Sequence, residues 1–241
     1  MQREHRPDTE KAMHELLAGL DPNGPPRLAF ARRAPAGIAE GPGHLLCLSA
    51  SFNPLTLAHV WLFQDAGNLA RPDEVLLLLA KANVDKGATG FPLEKRLAFL
   101  SRYAEASPTL SVAAVSHGRF VDKAEAIRPH YPGGTRLTFI LGFDTLIRLF
   151  DPKYYADRDA SLAALFTGSE FIVANRAPHP PEAVDSFLAR PDVAPYAPKI
   201  QSLRLPDDIA AISATAIRRR LASGEPIAGL VPAEILSLLL P

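Results

Sequence analysis

The sequence predicts an α/β protein: a doubly wound, mostly parallel sheet with helices on both faces. Three observations predict it. Apolar runs recur at residues 45–48, 74–80, 110–115, 135–142 and 170–174, and runs that are apolar on both sides suit a parallel sheet covered by helices. Segments of helical period fall between them, at 57–63, 92–106, 120–128 and 161–166. Small or polar residues follow several of the strands, where open α/β sheets hold ligands.

The 241 residues suffice for one large domain or two small ones, and 47% are apolar. With 26 basic and 26 acidic residues the charges balance. That argues against broad binding to nucleic acid or a membrane, and leaves a local basic pocket possible. The single cysteine, Cys47, excludes an intramolecular disulfide and a cysteine zinc cage. It reads as a small core residue in a reducing compartment. The first 20 residues lack the apolar core of a secretory signal, and no run reaches the length of a membrane span. A cytoplasmic protein is expected, with homo-oligomerisation left open.

Residues 8–20 predict an amphipathic helix, with Ala12, Met13, Leu16, Leu17 and Leu20 on one side. The Pro- and Gly-rich stretch at 21–44 predicts a surface connector with one short element at 27–31. Residues 1–42 are therefore expected to be an appendage to a domain at 43–241. That domain opens with the buried strand 45–48. The small residues Ser49, Ala50 and Ser51 follow, and let a ligand approach the backbone. Phe52-Asn53-Pro54 is a turn sequence. Thr56 is a natural N-cap for a helix bearing Leu57, Val60, Trp61 and Phe63, and His59 falls in its first turn. A strand, a small-residue loop and a helix start form a site for an anion. His59 taken alone is an incidental surface residue; the whole string is harder to dismiss.

After the strand at 74–80, Lys81 and Lys86 bracket a polar loop. Arg96 and Arg102, on the helix at 92–106, are placed to reach a ligand, though a solvated helix face is the commoner reading of such residues. The strand at 135–142 ends in Gly142-Phe143-Asp144, where Asp144 is equally an N-cap or a ligand-facing group. The strand at 170–174 ends in Asn175-Arg176, and Arg176 is as consistent with a solvated loop as with an anion contact. A sixth strand is expected at 199–205. Then come Ile212, Ser213 as N-cap, Thr215 in the first turn and Arg218 one turn on, followed by a last helix at 232–240. Neither G-x-G-x-x-G nor G-x-x-x-x-G-K-[ST] occurs.

SFNPLTLAH at 51–59 and ISATAIR at 212–218 together resemble the nucleotidyltransferase superfamily, with its [HT]-x-G-H and I-S-S-T-x-I-R motifs. Within it they look most like the nicotinamide and nicotinate mononucleotide adenylyltransferases. Gly142-x-Asp144 resembles that branch's G-A-D segment, Asn175-Arg176 its strand-end arginine, and Lys86 a lysine after its second strand. The chain differs from the motifs at Ser49, Ala50, Ala58, Phe143 and Ala214.

The resemblance implies a Rossmann-like fold over residues 43–241. It implies transfer of the AMP moiety of ATP to nicotinamide or nicotinate mononucleotide, with release of pyrophosphate. His59, Lys86 and Arg218 would carry the catalysis. Ser49, Ala50, Ser51, Phe52, Thr56, Ile212, Ser213 and Thr215 would join His59 and Arg218 in holding ATP. Asn53, Gly142, Asp144 and Arg176 would join Lys86 in holding the mononucleotide. Mg²⁺ would be held mainly by phosphates and water. Two other readings stay open: transfer to another small phosphate such as phosphopantetheine, with ATP or CTP as donor, and a nucleotide-binding regulator without transfer.

Overall fold

The computed structural model describes residues 6–82, 90–175, 179–180 and 182–240. Seven strands form one sheet: β1 (Leu28–Arg32), β2 (His44–Ser49), β3 (Glu74–Ala80), β4 (Leu110–Val115), β5 (Arg136–Gly142), β6 (Glu170–Ala174) and β7 (Ile200–Leu203). Their order is β1-β4-β3-β2-β5-β6-β7. β1 runs antiparallel to β4, and every other pairing is parallel. The helices are α1 (Arg6–Ala18), α2 (Leu57–Ala70), α3 (Leu93–Ala104), α4 (Phe120–Ile127), α5 (Phe143–Leu149), α6 (Arg158–Gly168), α7 (Glu182–Leu188), α8 (Asp207–Ala210), α9 (Ala214–Ser223) and α10 (Ala233–Leu239).

The apolar runs divide by residue parity, as strands must. Leu46 and Leu48 of β2 and Leu77 and Leu79 of β3 face a core built with α1, α2, α3, α9 and α10. Leu45, Cys47, Leu76 and Leu78 face the opposite core, built with α4, α5, α6 and α7. Both faces of the sheet are covered, as expected of a doubly wound fold. None of the described helices is long and apolar enough to cross a membrane.

The segment expected to run as surface chain before residue 43 is more deeply built in. β1 closes the sheet edge, and Met13, Leu17, Leu20 and Ile38 are buried. Lys81, read from sequence as one end of a polar loop at a strand's carboxyl end, donates its ammonium to the carbonyls of Leu17 at 2.8 Å and Leu20 at 2.6 Å. It thus meets carbonyls at the end of α1, where a cation is favoured. Glu74, 1% exposed, accepts from Ile38 N at 2.8 Å, Ser111 Oγ at 2.6 Å and the Tyr131 hydroxyl at 2.6 Å. Sequence patterning treats this carboxylate as a strand terminus; burial makes it a hub. Glu74→Ala leaves three buried donors unmatched, a cost of about 3 kcal/mol or more. The melting temperature should fall by roughly 6–12 °C in a calorimetric scan; an unchanged value contradicts the hub.

His44 is also buried. Its Nδ1 donates to Ala70 O at 3.1 Å, and its Nε2 accepts from Thr138 Oγ1 at 2.8 Å, an arrangement that suits the neutral ring. Burial, then nearby Arg136, holds its pKa below the usual 6.5. A depressed histidine contributes stability above its unfolded pKa and loses it as pH falls below that value. Denaturant titrations between pH 7 and 5 should therefore show stability falling with pH, less steeply in His44→Gln. An identical slope in the variant contradicts the assignment.

Candidate active site

The carboxyl ends of β2, β3, β5 and β6 open onto one cleft of about 600 Å³. One lobe lies over the starts of α2 and α9; the other lies between α4 and α5.

The first lobe is built from the loop after β2. Phe52 is fully buried and has φ of 40°, a left-handed backbone that an aromatic residue rarely adopts. This bend turns the chain so that Ser49, Ala50 and Ser51 line the cleft. Thr56 caps α2: its Oγ1 accepts from His59 N at 3.3 Å, while His59 Nδ1 accepts from Thr56 N at 3.1 Å. This is a capping box whose partner at the third helical position is an imidazole. The Thr56 hydroxyl also lies 2.8 Å from Nδ1. Because Nδ1 accepts, the proton of the neutral ring sits on Nε2. His59 therefore lines the cleft as a fixed N–H donor, with its ring 5.1 Å from that of Phe52. The cap thus fixes the orientation and tautomer of a side chain expected among the catalytic residues.

α9 supplies the facing wall. Ser213 caps it, accepting from Ala216 N at 3.4 Å, and Ile212 and Ala214 line the cleft. Arg218 donates from Nη1 to Asn53 O at 2.6 Å and from Nη2 to Thr215 Oγ1 at 3.3 Å. The two motifs, 165 residues apart at this bond, thus meet at one edge of the cleft. Ser213, Thr215 and Arg218 adjoin the cleft without being among its lining residues. So do Phe52 and Asn53, both expected to touch substrate. The Asn53 side chain accepts from Phe91 N at 2.9 Å instead. Only glycine suits position 90, where φ is 93° and a Cβ would lie 2.6 Å from Asn53 Nδ2 and 2.8 Å from Arg218 Cδ.

Arg96 corrects another expectation. It is 7% exposed, not solvated. Its Nε donates to Phe91 O at 2.6 Å and its Nη1 to Ser51 O at 3.3 Å, and it lines the cleft. Burial, then the neighbouring Arg218, lowers its pKa. Both arginines therefore hold the loop through its carbonyls and bring positive charge beside it. Spacing on α3 left the ligand-facing and solvated readings both open, because the contact depends on the loop.

The second lobe contains Gly142 and Asp144, as expected. A Cβ at Gly142 would meet nothing within 4 Å, so the strand end is open to a ligand. α5 has no side-chain cap, which removes the N-cap alternative for Asp144. Its carboxylate pairs with His179 Nε2 at 3.2 Å and remains half exposed. Asn175, 5% exposed, closes the floor by accepting from Leu205 N at 2.7 Å. Arg119, Lys123, Arg148, Tyr154 and Tyr155 complete the lobe; none was singled out from sequence, since each occupies an ordinary helical or turn position. Lys86 and Arg176 lie outside the described residues.

A profile of the cytidylyltransferase-like family matches residues 48–220. A Schizosaccharomyces pombe protein, provisionally named a nicotinamide mononucleotide adenylyltransferase, is 30% identical over 164 residues, 66% of this chain and 61% of its own length. A Trichlorobacter lovleyi protein, provisionally named a nicotinate-nucleotide adenylyltransferase, is 32% identical over 116 residues, 46% of this chain and 54% of its own. The chain thus spans less than two thirds of either relative. Among solved structures, a Plasmodium falciparum nicotinic acid mononucleotide adenylyltransferase, complexed with NaAD, superposes with a TM-score of 0.58 at 17% identity, over 81% of this chain and 95% of that one. Its complex with APC gives 0.58 at 16% identity. These likenesses carry the fold, and the profile match, over well more than half of the sequence, carries the family: the protein belongs to the cytidylyltransferase-like family of nucleotidyltransferases.

Proposed function

We propose that the protein is an adenylyltransferase that joins the AMP moiety of ATP to nicotinamide or nicotinate mononucleotide. The observation that carries this is the meeting of the α2 and α9 starts at one cleft, locked by Arg218 on the Asn53 carbonyl. Two helix starts present backbone N–H groups and positive dipole ends to one space, which suits a triphosphate. The names of the two relatives favour the pyridine mononucleotides as acceptors.

In the reaction an oxygen of the acceptor's 5′-phosphate bonds to the α-phosphorus of ATP. The bond from that phosphorus to the bridging oxygen breaks, and pyrophosphate leaves with the electron pair. The attacking group is already an anion, so no protein nucleophile is needed. Catalysis reduces to bringing two anions together and stabilising charge on the transferring and leaving groups. His59 donates through Nε2, while Ser49, Ala50 and Ser51 let the phosphates approach the chain. Arg96 and Arg218 use some donors on the loop and still supply positive charge beside it; a guanidinium has five N–H groups. Lys86, Thr215 and Arg176 belong to the proposal as further phosphate contacts, and Asp144 as acceptor for ribose hydroxyls.

No three His, Cys, Asp or Glu side chains converge among the described residues. Mg²⁺ belongs to the proposal as an ion that travels with the triphosphate, ligated by its oxygens and water. When bound, it supplies charge neutralisation at the phosphates. The buried free thiol of Cys47 supports a reducing, cytoplasmic setting.

The test is pyrophosphate release with ATP or CTP against a panel of pyridine mononucleotides, phosphopantetheine and other small phosphates. ATP with a pyridine mononucleotide should be the best pair; ATP binding without transfer to any acceptor contradicts the proposal. His59→Asn provides the finer check. Asparagine can imitate the Nδ1 acceptor and keep the helix cap, but it removes the Nε2 donor. We expect kcat/KM to fall roughly 10- to 150-fold at near-constant melting temperature, because a hydrogen bond to a charged group is worth about 1.5–3 kcal/mol. Full activity in this variant removes His59 from the mechanism.

A further inference from the structure

Phe143 stands between Gly142 and Asp144, two residues that line the second lobe. The proposed transfer gives this ring no task, yet the structure gives it two aromatic neighbours. Phe143 is 4% exposed. It meets the Phe187 ring edge-on at 5.7 Å and the His179 ring edge-on at 5.1 Å. Phe187 belongs to α7, and Phe143 opens α5 at the end of β5. His179 follows β6, the parallel neighbour of β5. The aromatic contact therefore ties together the chain that leaves two adjacent strands.

The same imidazole reaches Asp144. Its Nε2 lies 3.2 Å from Asp144 Oδ1, and it is the only partner of that carboxylate among the described residues. Oδ2 is left without one. Asp144 lines the cleft, and His179 is not among the lining residues. The contact thus engages one carboxylate oxygen without placing the imidazole in the wall of the cleft. An ion pair between two exposed, loosely held side chains contributes little to stability. Orientation is a different matter. A carboxylate left to itself turns through a broad, roughly two-fold range of χ angles. A partner that is itself packed against a buried ring narrows that range and presents the second oxygen in one direction.

We infer that His179 is a positioning residue: it holds Asp144 so that Oδ2 accepts from a ribose hydroxyl of the mononucleotide, and Phe143 seats His179. This rests on the proposed role of Asp144 with a mononucleotide acceptor, and adds the two side chains that orient it. A group oriented beforehand spares the ligand part of the ordering cost of binding. Supporting side chains of this kind are what hold a site to its productive geometry.

The test measures kcat and KM for nicotinate and nicotinamide mononucleotide, with ATP. His179→Phe keeps a ring against Phe143 and removes the nitrogen that meets Asp144. KM for the mononucleotide should rise about 2- to 12-fold, a loss comparable to one ordinary hydrogen bond. KM for ATP and the melting temperature should stay unchanged. His179→Gln, whose amide nitrogen can stand where Nε2 stood, should recover most of that loss. In an Asp144→Ala background His179→Phe should raise KM no further, because the two side chains act as one unit. An unchanged KM for the mononucleotide in His179→Phe overturns the inference. So does an equal further rise in the Asp144→Ala background, or a rise in both KM values with a lower melting temperature. Should His179→Phe not fold, His179→Leu takes its place with the same expectations. Turnover of neither mononucleotide by the unmodified protein would instead overturn the adenylyltransferase proposal, and the role of His179 with it.

Discussion

The 2.6 Å hydrogen bond from Arg218 to the Asn53 carbonyl is the constraint on which the cleft depends. It joins the first and last motifs of the domain across 165 residues. A charge-assisted bond of this kind is stronger than a neutral one. The loop it holds is strained at Phe52, with its φ of 40°, and such strain of about 1–3 kcal/mol persists only where surroundings over-determine it. Arg218, Arg96 and the Asn53–Phe91 contact do so together. Without them the Ser49–Ser51 backbone would have no fixed aspect toward a ligand.

The sheet prepares this meeting. β2 lies between β3 and β5, with parallel register on both sides, so its carboxyl end emerges at the centre of the molecule. Helices leave in opposite directions from there, α2 toward one core and α5 toward the other. The crevice between them is the switch point where open α/β sheets bind ligands. Two lobes follow from the two faces: one ringed by helix starts, the other lined by aromatic rings and cations from α4 and α5.

Much of this was legible in sequence. The apolar runs mark β2 to β6 because burial on both faces leaves no polar alternation to mislead. Thr56 and Ser213 declare their helices through capping chemistry that is entirely local. What sequence could not carry is long-range. Arg96 has the spacing of a solvated residue and becomes a buried strut only because the 51–53 loop lies against α3. Lys81 sits at a ligand-facing strand end, yet the end of α1 claims it first. Asn53 belongs to the motif but turns its side chain to Phe91. His179 looks like an ordinary loop histidine until Phe143 and Asp144 are in place. In each case the residue type was visible, and the partner that defines its role came from a distant element.

The account stands on two helix starts acting on one triphosphate. The most direct measurement is a crystal structure of the full chain with a non-hydrolysable ATP analogue. We expect its phosphates between the first turns of α2 and α9, with an oxygen within hydrogen-bond distance of His59 Nε2. Phosphates bound elsewhere, with the space between these turns empty at saturating analogue, would contradict it.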